Sequence, residues 1–141
     1  MSKKDSKFQV RFMSFAFRGK EIFKPLNTGF IDKRVSCIRE YVANIYFYTK
    51  DGHTIMIDAG YNYDRLAEKM HWINIHPKNI KEILITHQDT DHVGAIEKDS
   101  VGLFSESTIY IGKTENEYLE GRKQRKIFWG LCKLPQVHID N

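Results

Sequence analysis

The chain has 141 residues, close to the commonest size for one domain, so a single domain over 1–141 is expected. Hydrophobic residues make up 41% and charged residues 28%, which excludes a fibrous or disordered chain. Lys and Arg number 22 against 18 Asp and Glu, and the net charge of +4 is too mild to imply a nucleic-acid partner.

The N-terminal "MSKKDSKF" leads into alternating rather than continuous hydrophobics, so it does not read as a signal peptide. "FQVRFMSFAF" (8–17) alternates with period two and predicts a strand, with a further short strand around Ile22 and Phe23. Residues 25–36, with Pro25, Asn27 and Gly29, read as irregular. "YVANIYFYTKDGHTIMIDAG" (41–60) predicts a hairpin, strands 42–49 and 53–58 joined at Asp51-Gly52, a favoured pair for a tight turn. Gly60 suits the corner that follows.

"YDRLAEKMHWINI" (63–75) places Leu66, Met70 and Ile73 at helical spacing and ends before Pro77. "IKEILIT" (80–86) is a short apolar strand, and Val93–Ile96 read as the first turn of a helix. "STIYIG" (107–112) is another strand, and Thr114 with Glu117 matches a capping box opening a helix. Strands mixed with helices, one antiparallel pair among them, indicate an α/β or α+β layered domain. The basic "GRKQRK" (121–126) lacks interleaved aromatics and reads as a solvated segment. No apolar run approaches the length of a membrane span. Cys37 and Cys132 lack C-x-x-C spacing and read as reduced thiols, which makes the cytoplasm the expected compartment.

Chemistry concentrates in "THQDTDH" (86–92). One reading is a helix start: Thr86 and Asp89 approximate a capping box, and aspartates suit a first helical turn. That reading leaves both histidines unexplained. The other is a metal site. If the chain stays extended after the strand, His87, Asp89 and Asp91 project to one side, and His92 follows where the helix begins. Imidazole and carboxylate ligate zinc and iron well, and four such groups within six residues can serve two ions. Gly94 permits close backbone approach. Asp58, in "IDAG", is either a turn residue or a carboxylate that accepts a hydrogen bond from a ligating histidine.

"LITHQDTDHVGA", preceded by a strand ending "IMIDAG", resembles the metallo-β-lactamase-fold metallohydrolase superfamily, marked by H-x-H-x-D-H after a strand. The resemblance implies the N-terminal part of an αββα sandwich, a mixed sheet with helices on one side. It also implies hydrolysis of an ester, lactone or related acyl bond of a small-molecule substrate at a binuclear centre, zinc most often. His87 and Asp89 would hold the first metal, and Asp91 and His92 the second. Asp91 would also orient the metal-bound hydroxide that attacks the substrate.

Two departures stand out. Position 89 is Asp where the pattern has His; diiron flavoproteins of the superfamily place an acidic residue there, so iron or manganese stays open. The superfamily's later ligands, a third histidine, a bridging aspartate and a last histidine, have no match, and the only later histidine is His138 in "QVHID". The chain therefore reads as a domain lacking its C-terminal half. Half a sandwich leaves one sheet face open, to be covered by a homo-oligomer or a partner chain. A non-catalytic fragment or oligomerising module, and an iron-binding redox relative, are the alternatives to a hydrolase.

Overall fold

The computed structural model describes residues 24–99 and 102–124, together with the backbone of two short paired strands, Lys126–Ile127 and Cys132–Lys133. The expected strands at 8–17 and 22–23, and His138 with most of the tail, lie outside the described residues.

A six-stranded mixed sheet organises the domain. β1 (Gly29–Phe30), β2 (Val35–Glu40), β3 (Ala43–Lys50) and β4 (His53–Ile57) follow one another as antiparallel neighbours. The β3–β4 turn lies where Asp51-Gly52 places it, and both residues have positive φ, 51° and 78°, as a primed turn requires. α1 (Tyr63–Trp72) then crosses to β5 (Ile80–Ile85), which pairs parallel with β4. α2 (Thr90–Glu97) crosses in turn to β6 (Thr108–Ile111), parallel to β5, and α3 (Lys113–Leu119) follows. Asn62 caps α1, its side chain accepting from the Arg65 N–H at 2.9 Å.

The register sorts the sheet residues into two faces. Ile38, Ile45, Phe47, Met56, Ile83 and Ile85 point to one side, where Leu66 and Met70 of α1 and Val93, Ala95 and Ile96 of α2 close a single core. Tyr48, Leu84 and Tyr110 lie on the other and are exposed. The expected class, a mixed sheet in an α/β layered domain, is what the chain forms.

Two expectations are corrected. Residues 25–36 are not wholly irregular: they contain β1, and β2 begins at Val35. Ser36 and Glu40 occupy core-facing positions of β2 and are buried, so polar residues stand where alternation would put apolar ones. The second concerns Thr114. It lies inside α3, whose cap residue is Gly112 and makes no side-chain capping bond, so the Thr114–Glu117 capping box does not form.

The segment after β4 fixes the site. The Ala59 N–H donates to the His92 carbonyl at 2.6 Å and the Ala95 N–H to the Gly60 carbonyl at 3.0 Å, which ties the corner to α2. Gly60 has φ +71°, and a Cβ there would lie 2.8 Å from Ile45 Cδ1 and 3.1 Å from Glu40 Cγ. Gly60→Ala should therefore destabilise the domain by about 1–3 kcal/mol. A urea midpoint equal to that of the unmodified protein would contradict this.

Candidate metal centre

β5 delivers Thr86 and His87 to the C-terminal edge of the parallel strands, where open α/β sheets place their ligand sites. The chain turns there into α2, so Asp91 sits in the first helical turn and not on an extended segment with His87 and Asp89. The four groups consequently meet as two pairs. His87 Nε2 lies 3.5 Å from Asp89 Oδ2, and His92 Nε2 lies 3.6 Å from Asp91 Oδ2. The two imidazole rings are 3.9 Å apart, centre to centre.

Those separations suit a shared ion better than a direct hydrogen bond. Two ligand atoms at zinc distances and tetrahedral angles stand about 3.4 Å apart. The helix-cap reading fares worse. Asp89 is the cap residue of α2, yet its side chain makes no capping hydrogen bond. Thr86, the other half of the supposed box, directs its hydroxyl to Asp58.

Asp58 organises both histidines. It is buried at the end of β4, with φ +60°, a left-handed conformation that Asp and Asn adopt more readily than other side chains. Its Oδ1 accepts from the Thr86 N–H at 2.9 Å, and its Oδ2 stands 2.8 Å from Thr86 Oγ1 and 2.8 Å from His92 Nδ1. Burial pushes the Asp58 carboxyl up, but the bonds from His92 and Thr86 outweigh it and hold the group below its ordinary range. As a carboxylate it can only accept, so His92 Nδ1 carries the proton and Nε2 turns its lone pair towards Asp91.

The same logic reaches His87. The single hydroxyl proton of Thr86 goes to Asp58, so Thr86 Oγ1 can only accept from His87 Nδ1, 2.9 Å away. His87 Nε2 is thereby left facing Asp89. One carboxylate sets both tautomers, His92 directly and His87 through Thr86. Asp89 beside it raises the His87 pKa, against burial and with help from Asp58 and Asp91. A proton thus competes with any metal at that imidazole, and metal binding must weaken in acid.

The donor types, imidazole nitrogen and carboxylate oxygen, suit a transition-metal ion. Each pair supplies two ligands, fewer than a zinc site takes from its protein, and among the described residues no three such groups converge on one point. Asp58, for which the sequence left a turn residue and an outer carboxylate open, stands within hydrogen-bond distance of His92 Nδ1. Three contributors had no such role in the sequence: Thr86, read as a cap, Gln88, and Glu115, whose carboxylate accepts from the Gln88 N–H at 3.1 Å. Tyr61 is buried with the Lys98 ammonium 3.7 Å from its ring centre.

Residues 38–98 match the family model described as the metallo-beta-lactamase superfamily. Over that segment the chain is similar to this superfamily. Solved structures of metallo-β-lactamases share its fold. One from Cronobacter sakazakii, described by a HARLDQ motif, is 18% identical, with a TM-score of 0.61 over 86% of this chain and 47% of that one. A subclass B3 enzyme of Bradyrhizobium japonicum is 17% identical, with a TM-score of 0.62 over 87% and 47%. A further subclass B3 enzyme, from a soil metagenome library, is 17% identical, with a TM-score of 0.61 over 84% and 45%. The chain thus spans about half the length of the metallo-β-lactamases it matches. A comparison with curated proteins gives no match.

Proposed function

We infer that the chain carries the metal-binding half of a hydrolase acting on an ester, lactone or related acyl bond of a small molecule. The observation that carries this is the orientation of the site: two imidazole–carboxylate pairs whose Nε2 lone pairs are turned inward by Asp58 and Thr86. His87 and Asp89 hold one ion in this reading, and Asp91 and His92 a second. Zinc is the metal we assign, with iron or manganese favoured to the extent that Asp89 replaces an imidazole. When bound, such ions lower the pKa of water and polarise the scissile bond. Asp91, partly exposed at the N-terminal turn of α2, is the carboxylate we assign to orient the attacking water. Thr86 and Asp58 engage the two Nδ1 atoms and fix the imidazoles in direction.

Zinc should bind stoichiometrically by elemental analysis, and turnover of a generic ester should disappear with a chelator and return with zinc. A purified, folded chain that takes up no metal would sink the reading.

A second reading is favoured by the exposed face around Tyr48, Leu84 and Tyr110 and by the two-ligand half-sites. In it the chain is a non-catalytic, oligomerising module whose open face packs on another copy or a partner chain. Sedimentation equilibrium decides: this reading requires concentration-dependent association and no turnover. The free, buried Cys37 thiol supports a cytoplasmic location, and among the described residues no helix is long and apolar enough to cross a membrane.

A further inference from the structure

We propose that Gln88 is a positioning residue for Asp89, holding one carboxylate oxygen so that Asp89 offers only the other to the metal it shares with His87. The proposal rests on the metal-centre reading above. Gln88 is the spacer between two expected ligands, yet its side chain is only 1% exposed. Its Nε2 donates to Asp89 Oδ1 at 3.2 Å, while Asp89 Oδ2 is the oxygen that faces His87 Nε2 at 3.5 Å.

Packing alone does not explain an amide at this position. Gln88 Oε1 is buried and has no hydrogen-bond partner among the described residues. An orphaned acceptor costs free energy that an apolar side chain of similar volume, such as methionine, would not incur. What the amide does achieve is the bond to Asp89. The residue is also pinned from behind, since its backbone N–H donates to Glu115 Oε2 of α3 at 3.1 Å. The amide therefore approaches Asp89 from a fixed point.

Asp89 calls for such a lock in a way that histidine would not. An imidazole with one nitrogen engaged offers a single ligand atom in a single direction. A carboxylate rotates about its terminal torsion and ligates through one oxygen or two. With Oδ1 engaged by Gln88, Asp89 becomes a one-oxygen ligand, the role closest to that of a histidine in a low-coordinate site.

The test is calorimetric titration of zinc into the full metal-free chain, unmodified and as Gln88→Met and Gln88→Leu, with thermal melts of the same metal-free samples. The zinc Kd should rise about ten- to a hundredfold in both variants. The metal-free Tm should stay level or rise, because the orphaned acceptor is gone. A purely structural role would instead lower the Tm, so loss of the folded state in both variants, or a Tm drop that accompanies the weaker binding, overturns the proposal. Zinc binding as tight as in the unmodified chain overturns the positioning role and leaves the metal centre standing. An unmodified chain that binds no zinc overturns the metal centre, and the role of Gln88 with it.

Discussion

Asp58→Asn should weaken zinc binding by about ten- to a hundredfold and destabilise the metal-free fold by about 2–3 kcal/mol. Asparagine tolerates the positive φ that Asp58 adopts, so the backbone at the corner survives the exchange. The hydrogen bonds do not. Asp58 meets three donors, the Thr86 N–H, the Thr86 hydroxyl and His92 Nδ1, and an amide offers one acceptor oxygen to them. Its NH2 group would confront either His92 Nδ1–H or Thr86. His92 can answer by moving its proton to Nε2, which removes the lone pair that faces Asp91. The binding loss and the stability loss thus have one origin.

The pH profile separates this cause from general damage. The folded pKa of Asp58 is depressed, so its contribution is fully present above the unfolded value of about 3.9 and is lost as pH falls through the folded value. Urea midpoints of the unmodified chain should therefore fall in acid, and those of Asp58→Asn should fall less steeply over the same window. Parallel acid limbs for the two proteins would show that Asp58 is not the group responsible.

The sequence made the local features legible and left the long-range ones hidden. Asp51-Gly52 announced its hairpin because turn chemistry is set by two neighbouring residues. Four ligand candidates within six residues were equally visible, since the chain brings them together without help from the fold. The division into His87–Asp89 and Asp91–His92, already implied by the family resemblance, is made in space by the turn into α2. Thr86 and Asp58 are 28 residues apart, on strands that become neighbours only when α1 crosses over the sheet, so their bond had no local signal. β2 was obscured for a related reason. Its polar Glu40 faces the core because Arg65, from α1, meets it there.

That contact yields the second large effect. Glu40 is 1% exposed, and the Arg65 guanidinium stands 2.8 Å from Glu40 Oε1 and 4.3 Å over the ring of Tyr41. Burial raises the Glu40 carboxyl above its ordinary pKa, although Arg65, Lys69 and Lys98 all pull it down. The pair is thus a buried ion pair in which the carboxylate is the more deeply desolvated partner. Removing the cation should be far more harmful than removing both charges. Arg65→Met leaves an uncompensated buried carboxylate, and we expect a loss of about 3 kcal/mol, the lower end for broken buried pairs, because Lys69 and Lys98 remain. Glu40→Leu combined with Arg65→Met should recover most of that loss, since a hydrophobic replacement of both partners is often close to neutral.

The sign of the pH dependence follows from the raised pKa. Between the unfolded value of about 4.3 and the higher folded value, the folded state binds the additional proton, so stability increases as pH falls through that window. Arg65→Met should widen the window and lose less in mild acid than at neutral pH. A loss that is independent of pH, or a double variant no better than Arg65→Met, would mean that Arg65 acts by packing against Tyr41 and not by compensating Glu40. Glu40 Cγ also lies against Gly60, two residues from Asp58, which puts the pair beneath the corner that carries the metal site's outer carboxylate. Zinc affinity in the double variant then measures how far that corner depends on charge. Affinity close to that of the unmodified chain would assign the pair to the fold alone, and a weakened site would make it part of the support on which Asp58 stands.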